Sequence, residues 1–296
     1  MEVTAASRLP YSLPRIGRFQ FNAAAVLTTA AFLFLFFQPL KLLLMDWWSD
    51  PEAGHGLLLG PVAIWLAWKA GLEERATPYP SLGCLILLGA IALRIAAGLA
   101  AELFTMRLAL VGALLGLTVY FRGPAQVRRW WLPFALFTLC IPLPALLTGA
   151  IALPLQLRAS AIGAWLLSLR HVPVVLSGNI IQVPGHQLFV SEACSGLRSL
   201  TALFSLALLI CGLWLQRPLA RVGLLVATLP IAIIMNAIRV FLTGFLVVFV
   251  DPSLGDGFLH LTEGWVMFVL AFGCLGAVAW VISAMERRFT VAAANG

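Results

Sequence analysis

The stretch ARVGLLVATLPIAIIMNAIRVFLTGFLVVFV, residues 220–250, decides the fold. Between Arg221 and its end it holds one charged residue, Arg239, in a run longer than the ~20 residues that cross about 30 Å of hydrocarbon. Of the 296 residues in the chain, 61% are hydrophobic and only 10% are charged, which is more apolar surface than a soluble core of this size buries. We therefore expect an integral membrane protein, and a soluble DNA-binding protein is excluded.

Apolar runs of spanning length recur on both sides of this stretch, with short polar breaks between them. We predict an all-α polytopic membrane protein with about eight transmembrane helices. The transmembrane domain is expected at 22–285, between tails at 1–21 and 286–296. The predicted spans are 22–44, 55–70, 82–101, 103–121, 130–150, 194–215, 220–250 and 263–285. The first is interpreted as a retained anchor, because Leu42 to Asp46 offers no small-residue cleavage site.

The basic residues indicate which side of the membrane each loop faces. Twelve of the 19 lysines and arginines fall at alternate span ends, which the positive-inside rule assigns to the cytoplasm. They are Arg8, Arg15, Arg18, Lys69, Arg75, Arg122, Arg128, Arg129, Arg217, Arg221, Arg287 and Arg288. The opposite ends carry Asp46, Asp50, Glu52, Glu102, Glu192, Asp251, Asp256 and Glu263. Both termini are therefore predicted to be cytoplasmic, and the lipid bilayer, not a nucleic acid, accounts for the net charge of +7.

The longest predicted segment between spans, residues 151–193, is expected on the outer, periplasmic side, where a substrate could be held. Residues 155–169 have apolar positions near helical spacing, which predicts an amphipathic helix along the membrane interface. A small hairpin is predicted to follow and to lead into the sixth span. Its strands are expected at 172–176 and 180–183, with turns at 177–179 and 184–185.

Ionisable side chains within or near the predicted spans are costly in lipid and commonly mark a functional site. They are Lys41, Arg94, Arg107, Arg198 and Arg239. Lys41 lies near the predicted end of its span, from which the ammonium group can reach the interface. Arg94 and Arg107 flank the outer turn at Glu102, which favours a structural ion pair there.

Cys194 is the one cysteine in a polar context. The others, Cys84, Cys140, Cys211 and Cys274, lie in apolar runs and show no paired spacing. Cys194 is predicted in the first turn of the sixth span, where Ser191 or Glu192 caps the helix and the helix dipole favours thiolate. Arg198, one turn later, is placed to add to this effect or to pair with Glu192. A nucleophile and a packed structural cysteine both fit this position.

Arg239 follows Asn236 by three residues, which places both on one helix face. It lies about 27 Å of helical rise beyond Arg221, and therefore near the outer surface. His260 precedes the eighth span on the same predicted side, where a solvated histidine and a functional one both fit. A thiol, a guanidinium and an imidazole at one membrane face are the groups that acyl transfer requires.

Three blocks of this sequence resemble the signature motifs of the exosortase/archaeosortase family. They are Glu192-Ala-Cys-Ser-Gly-Leu-Arg-Ser-Leu200, Asn236-Ala-Ile-Arg239, and His260 followed by Gly264-Trp265. Gly54-His55-Gly56 resembles the family's serine-histidine-glycine block, with Gly54 where the family more often has serine. Ser177-Gly178-Asn179-Ile180 resembles the glycine-asparagine stretch before the family's cysteine, and order and spacing agree from about residue 46 to 270.

The resemblance implies a bacterial exosortase, a multi-pass inner-membrane cysteine transpeptidase with a periplasmic active site. Such an enzyme recognises exported proteins by a C-terminal tail, cleaves it, and transfers the protein to an unidentified surface acceptor. The tail consists of a Pro-Glu-Pro-like motif, a transmembrane helix and a basic end. The resemblance carries over Cys194 as the nucleophile, with Arg239 and His260 as the other catalytic residues. Supporting or substrate-binding candidates are Glu192, Ser195, Arg198, Asn236, Asn179 and His55. No metal or organic cofactor is expected.

Two other classes of function also fit the residues. In a transporter or a component of exopolysaccharide export, Arg94, Arg107 and Arg239 would line an anionic path, and loss of the Cys194 thiol would be silent. In a non-catalytic factor for surface-polymer assembly, substitutions at Cys194, Arg239 and His260 would all be tolerated.

Overall fold

The computed structural model describes residues 23–50, 52–190, 197–251 and 258–295, with side chains left out at 24–25, 197–198, 258–265 and 288–295. In this part of the chain, ten helices and one small sheet form. The helices are α1 Ala23–Ser49, α2 Gly56–Ala70, α3 Pro80–Leu99, α4 Leu103–Arg122, α5 Pro124–Arg129, α6 Trp131–Leu139, α7 Ala145–Ser168, α8 Leu197–Leu213, α9 Pro218–Phe249 and α10 Phe258–Asn295. The strands are β1 Val175–Ser177, β2 Ile180–Val183 and β3 His186–Phe189.

Within the described residues, six helices are long and apolar enough to cross a membrane. These segments are Val26–Ser49, Pro80–Leu99, Leu103–Arg122, Ala145–Ser168, Pro218–Phe249 and Val266–Arg287. Two further apolar helices are shorter, at Gly56–Ala70 and Ser199–Leu213. The predicted polytopic, mainly helical architecture agrees with the structure, whereas the predicted count of eight spanning helices is not reproduced.

The predicted fifth span at 130–150 is wrong, because the helix is interrupted in its middle. α6 ends at Leu139 and α7 begins at Ala145. Pro142 and Pro144 stand in the connection. Proline has no N–H group and pushes the residue before it away from the helical conformation, so the α6 helix cannot continue through this segment.

The predicted interfacial helix at 155–169 is also wrong as a separate element, since these residues belong to α7, an apolar helix of 24 residues. The hairpin that follows is confirmed, with β1 and β2 antiparallel. Its first strand covers Val175–Ser177 and not the predicted 172–176, because Ser177 pairs with Ile180 and the turn is shorter than predicted. A third strand, β3, extends it into the sheet β1-β2-β3. Gly178 and Gly185 occupy the two turns with φ values of +62° and +79°, a left-handed conformation that glycine adopts without strain.

One end of the helix bundle is rich in basic residues, and contacts there show the direction of each helix. This end, called the basic end below, carries Lys69, Arg122, Arg129, Arg217 and Arg221. Nε of Arg129, the last residue of α5, donates to the carbonyl of the last α2 residue at 2.7 Å. The α8 and α9 ends meet there as well, because Arg221 Nε donates to Leu215 O at 3.0 Å.

Glu286 fixes α10 antiparallel to α9. Its carboxylate accepts from the backbone N–H groups of Gln216 at 3.4 Å and Arg217 at 2.7 Å, just before α9 begins. A carboxylate at this position satisfies helix-start donors and complements the dipole of α9. The first turn of α10 therefore lies towards the opposite end, together with the α1–α2 turn, the sheet and the end of α9.

Two side chains bind the carbonyl groups that the break after α6 leaves without helical partners. Trp47 Nε1 donates to Cys140 O at 2.8 Å. His55 Nε2 lies 3.2 Å from Leu139 O, and its Nδ1 lies 3.1 Å from Glu52 O. The α1–α2 turn is thereby fastened to the end of α6, since the last carbonyls of a helix need partners that lipid cannot supply.

Arg107 forms the ion pair expected of it, but not at the outer turn between α3 and α4. Its Nη2 lies 2.6 Å from Asp46 Oδ2 on α1, and the side chain of Arg107 is 3% exposed. Glu102 instead caps α4, accepting from the N–H groups of Phe104 at 3.0 Å and Thr105 at 2.6 Å. Hydrogen bonding by Thr105 is the main cause that holds the pKa of Glu102 below its ordinary value.

Trp47 of α1 packs against α2, which predicts that substituting alanine for two helix-interior glycines changes the stability of the protein differently. A Cβ added at Gly60 would stand 2.8 Å from Trp47 Cη2, whereas one at Gly89 of α3 would have no atom within 4 Å. We expect Gly60→Ala to lower the thermal unfolding midpoint in detergent, because overpacking costs about 1–3 kcal/mol. Gly89→Ala should leave the midpoint unchanged or raise it, since alanine favours the helix by about 1 kcal/mol. Equal midpoints for the two variants would contradict this contact.

Candidate functional site

α9 carries two polar side chains on one face of its second half. Asn236 is 6% exposed, and Arg239, three residues later, is half-buried. Thr243 adds a hydroxyl one turn further on, which donates to Arg239 O at 3.0 Å. This confirms the predicted helix across the segment, while the surrounding elements determine what Arg239 can reach.

α7 runs parallel to α9 and in close contact with it. A Cβ added at Gly163 would stand 2.6 Å from Val240 Cγ1, and one at Gly244 would stand 2.8 Å from Leu167 Cδ1. The two contacts are four residues apart on each helix and occur in the same order, which requires parallel axes in this region. Glycine at these two positions lets the helices approach closely, as in other membrane helix pairs.

Asn179 fixes the chain that enters the segment containing Cys194. Its Nδ2 donates to Val190 O at 3.1 Å, and Val190 N donates to Asn179 O at 3.0 Å. Val190 is buried in one hydrophobic cluster with Ile181 of the sheet and Val240 of α9. The end of the sheet is thus attached to α9 next to Arg239.

The other side of that segment is attached to α9 as well. Leu200, in the first turns of α8, packs against the cluster of Ala152 and Leu155 on α7, and Ile233 of α9 packs against the same cluster. Arg239 lies on α9 between Ile233 and Val240, the two places where the flanks of the Cys194 segment make contact. The fold therefore brings both flanks of this segment to the part of α9 that carries Asn236 and Arg239.

The other predicted residues are placed as follows. Cys194, Glu192 and Ser195 lie outside the described residues. Arg198 is in the first turn of α8 and His260 is the third residue of α10, each described by backbone alone. His55 is not part of this group, because it binds Leu139 O at the α1–α2 turn.

Two polar residues of α7, in the segment that was predicted as an interfacial helix, lie next to this group. Gln156 is 5% exposed and Ser160 is fully buried, and both fall on the side of α7 that also carries Gly163. The Ser160 hydroxyl has no hydrogen-bond partner in the described part of the chain. Their spacing of four residues places both on one helix face in the sequence, whereas the burial of that face is seen only in the structure.

Comparison with protein families identifies one match. The family described as transmembrane exosortase matches residues 47–277, which is most of the chain. No match is found among curated proteins or among solved structures. The matched range includes α9, the sheet and the flanks of the Cys194 segment.

The parallel contact of α7 with α9 predicts a specific cross-link. With the natural cysteines replaced by alanine, Gly163→Cys and Val240→Cys should form a disulfide on mild oxidation, because a Cβ at residue 163 would stand 3.1 Å from the Val240 Cβ. The disulfide is detected with a protease site inserted at the exposed turn around Gly178. After cleavage, the two fragments should stay linked on a non-reducing gel and separate on a reducing gel. The control pairs Gly163→Cys with Gly244→Cys, one turn further along α9. Equal yields from both pairs would contradict the register in which Gly163 is level with Val240.

Proposed function

The chain belongs to the transmembrane exosortase family, and on that premise we propose that it is a membrane-embedded cysteine transpeptidase. Its substrates are exported proteins that carry a C-terminal tail with a Pro-Glu-Pro-like motif, a transmembrane helix and a basic end. The enzyme cleaves this tail at the outer face of the bacterial inner membrane and transfers the protein to a surface acceptor. Both chain termini are cytoplasmic in this proposal, and the sheet is periplasmic.

One observation carries the proposal: each flank of the Cys194 segment shares a hydrophobic cluster with a residue of α9, one on either side of Arg239. Leu200 packs in one cluster with Ile233, and Val190 packs in another with Val240. Cys194 precedes Leu200 by six residues, and Arg239 follows Ile233 by six residues. Since α8 and α9 are antiparallel, this spacing supports the proposal that the Cys194 thiol and the Arg239 guanidinium belong to one site.

In the proposed reaction the Cys194 thiol gives its proton to His260, and the thiolate attacks the carbonyl carbon of the scissile peptide bond. The new S–C bond leaves a negative charge on the carbonyl oxygen, which accepts hydrogen bonds from the Arg239 guanidinium. The C–N bond then breaks, and His260 returns the proton to the leaving amine. The product is a thioester on Cys194 and a released tail.

The second half of the reaction restores the enzyme. An acceptor nucleophile loses its proton to His260 and attacks the thioester carbonyl carbon, so that the S–C bond breaks and the thiolate leaves. His260 then returns this proton to the Cys194 thiolate, which restores the thiol and the neutral imidazole. Arg239 again stabilises the oxyanion, with a contribution that is larger in a site of low dielectric than in water. The three side chains and the two substrates account for every bond and proton in this series of reaction steps.

The supporting candidates have separate proposed roles. Asn179 holds Val190, and so holds the chain that leads to the nucleophile. Asn236 positions Arg239 from the same face of α9, and His55 acts at a distance by securing the end of α6. For Glu192, Ser195 and Arg198 we propose contacts within the helix start that carries the nucleophile.

The transporter alternative receives less support from the arginines that would define its path. Arg107 is paired with Asp46 on α1, and Arg94 donates to Gln38 on α1 at 3.3 Å. Both lie on the α3–α4 pair, whereas Arg239 lies on α9 among α7, α8 and α10. A path lined by all three arginines would have to cross between these two helix groups.

The proposed orientation predicts the side of each loop. Reporter fusions in the turns at Gly178 and Gly185 should give the periplasmic signal, because both belong to the sheet beside Arg239. Fusions after Arg122 and Arg217 should give the cytoplasmic signal, since both stand at the basic end. A cytoplasmic signal at Gly178 would exclude the proposed function, because exported substrates present their tails from the other side.

The nucleophile is tested by removing its sulfur. We expect Cys194→Ala to abolish tail cleavage while membrane insertion and protein level stay normal, since a small apolar residue near a helix start is a mild change. Uncut substrate, detected on a blot, should accumulate with its tail attached. Cys84→Ala, Cys140→Ala, Cys211→Ala and Cys274→Ala are the controls and should cleave normally. Normal processing by Cys194→Ala would contradict the proposed function and favour the transporter alternative.

Arg239→Lys should also reduce cleavage sharply, because a point charge replaces a planar two-pronged donor.

A further inference from the structure

Gln156 and Ser160 of α7 are buried polar side chains for which the proposed reaction has no use. Gln156 is 5% exposed, and Ser160 is fully buried with no hydrogen-bond partner for its hydroxyl in the described residues. A buried polar group without a partner destabilises a fold, and a substitution to alanine or leucine would remove that penalty. A ligand that supplies the missing hydrogen bonds is one reason for such residues to be present.

The contacts between α7 and α9 place this pair beside the candidate site. Gly163 is level with Val240 and Leu167 with Gly244, so the parallel register puts Ser160 at the level of Asn236 and Ala237. Gln156, one turn below, is then level with Ile233. Leu200 of α8 packs in the cluster that contains Ile233 and Leu155, immediately next to Gln156. The amide and the hydroxyl thus follow α7 along the part of the bundle to which the Cys194 segment returns.

Close packing of α7 against α9 could explain a small residue at Ser160 but not its hydroxyl group, and it does not explain Gln156. α7 presents small residues to α9, among them Ala152, Ala159 and Gly163, and a serine is small enough to continue that series. Alanine would serve the same purpose without a buried hydroxyl group. Gln156 does not fit the series at all, because its side chain is long and its amide carries both donors and an acceptor.

A peptide that enters a protease at membrane depth has a specific chemical need. Its scissile segment must leave the helical conformation, and the N–H and C=O groups released in this way find no water in hydrocarbon. Non-helical backbone at this depth is tolerated only where protein groups satisfy it. An amide and a hydroxyl, each able to donate and to accept, match such a backbone without selecting its side chains.

We propose that Gln156 and Ser160 bind the main chain of the sorting tail next to the scissile bond, as substrate-binding residues of the same site. The inference rests on the proposed cleavage function and names the part of the substrate that α7 recognises. The pair holds the unwound segment along α7 while Arg239 faces the reacting carbonyl from α9. Its contribution is to substrate binding, and the bond-making steps remain with Cys194, Arg239 and His260.

The test compares two serine-to-alanine variants of the full-length protein in proteoliposomes, with a synthetic tail peptide as substrate. Ser160→Ala should raise the apparent KM about threefold to tenfold, the loss expected for one hydrogen bond, with little change in kcat. Its thermal midpoint should not fall, because no partner in the fold is lost. Ser205→Ala is the matched control, since Ser205 is equally buried but donates to Thr201 O at 2.9 Å. That control should keep the wild-type KM.

Gln156→Leu is the second variant, because leucine keeps much of the volume and removes the amide. It should also raise KM and preserve the thermal midpoint. An unchanged KM in both α7 variants, with cleavage still abolished by Cys194→Ala, overturns this inference and leaves the proposed function intact. A lowered midpoint in Ser160→Ala overturns it too, since the hydroxyl would then serve the fold. Normal cleavage by Cys194→Ala overturns the inference and the proposed function together.

Discussion

Hydrocarbon offers no hydrogen bonds, so a chain that breaks a helix at membrane depth must satisfy the freed backbone from within the protein. Here the break follows α6, and the carbonyl groups of Leu139 and Cys140 are bound by His55 and Trp47. Trp47 lies in the last turn of α1 and His55 just before α2, and Asp46 ties the same end of α1 to Arg107 on α4. This junction ties the end of α1 and the start of α2 to the end of α6, next to the packing of α2 against α6.

The same break gives α6 and α7 different partners. α6 packs against α2 and α8, whereas α7 packs mainly along α9. Because α7 follows α9, its second half reaches the sheet, and the sheet positions Val190 close to Val240. A backbone interruption on one side of the bundle thus determines where the candidate site is assembled on the other.

The sequence predicted the elements whose signal is local. Asn236 and Arg239 were placed on one helix face by their spacing, and Ser177-Gly178-Asn179 predicted the first hairpin turn. The break after Leu139 was missed because a hydropathy scale counts Pro142 and Pro144 as nearly neutral residues in an apolar run. The effect of proline is instead on the backbone, where it prevents the helix from continuing. β3 was missed because His186 and Gln187 lack the β-branched pattern of a strand. The buried setting of Gln156 and Ser160 depends on α9, almost eighty positions away, and no local pattern contains it.

The length of α9 has a consequence for where chemistry takes place. Its 32 residues rise about 48 Å, well beyond the roughly 30 Å of a hydrocarbon layer. Counted from Pro218 at the basic end, Arg239 stands about 32 Å along the axis, at the far boundary between lipid and water. A guanidinium at this boundary avoids most of the cost of a charge in oil. In the proposed reaction, Arg239 thus lies where a peptide anchored in the membrane meets an acceptor that approaches from the aqueous side.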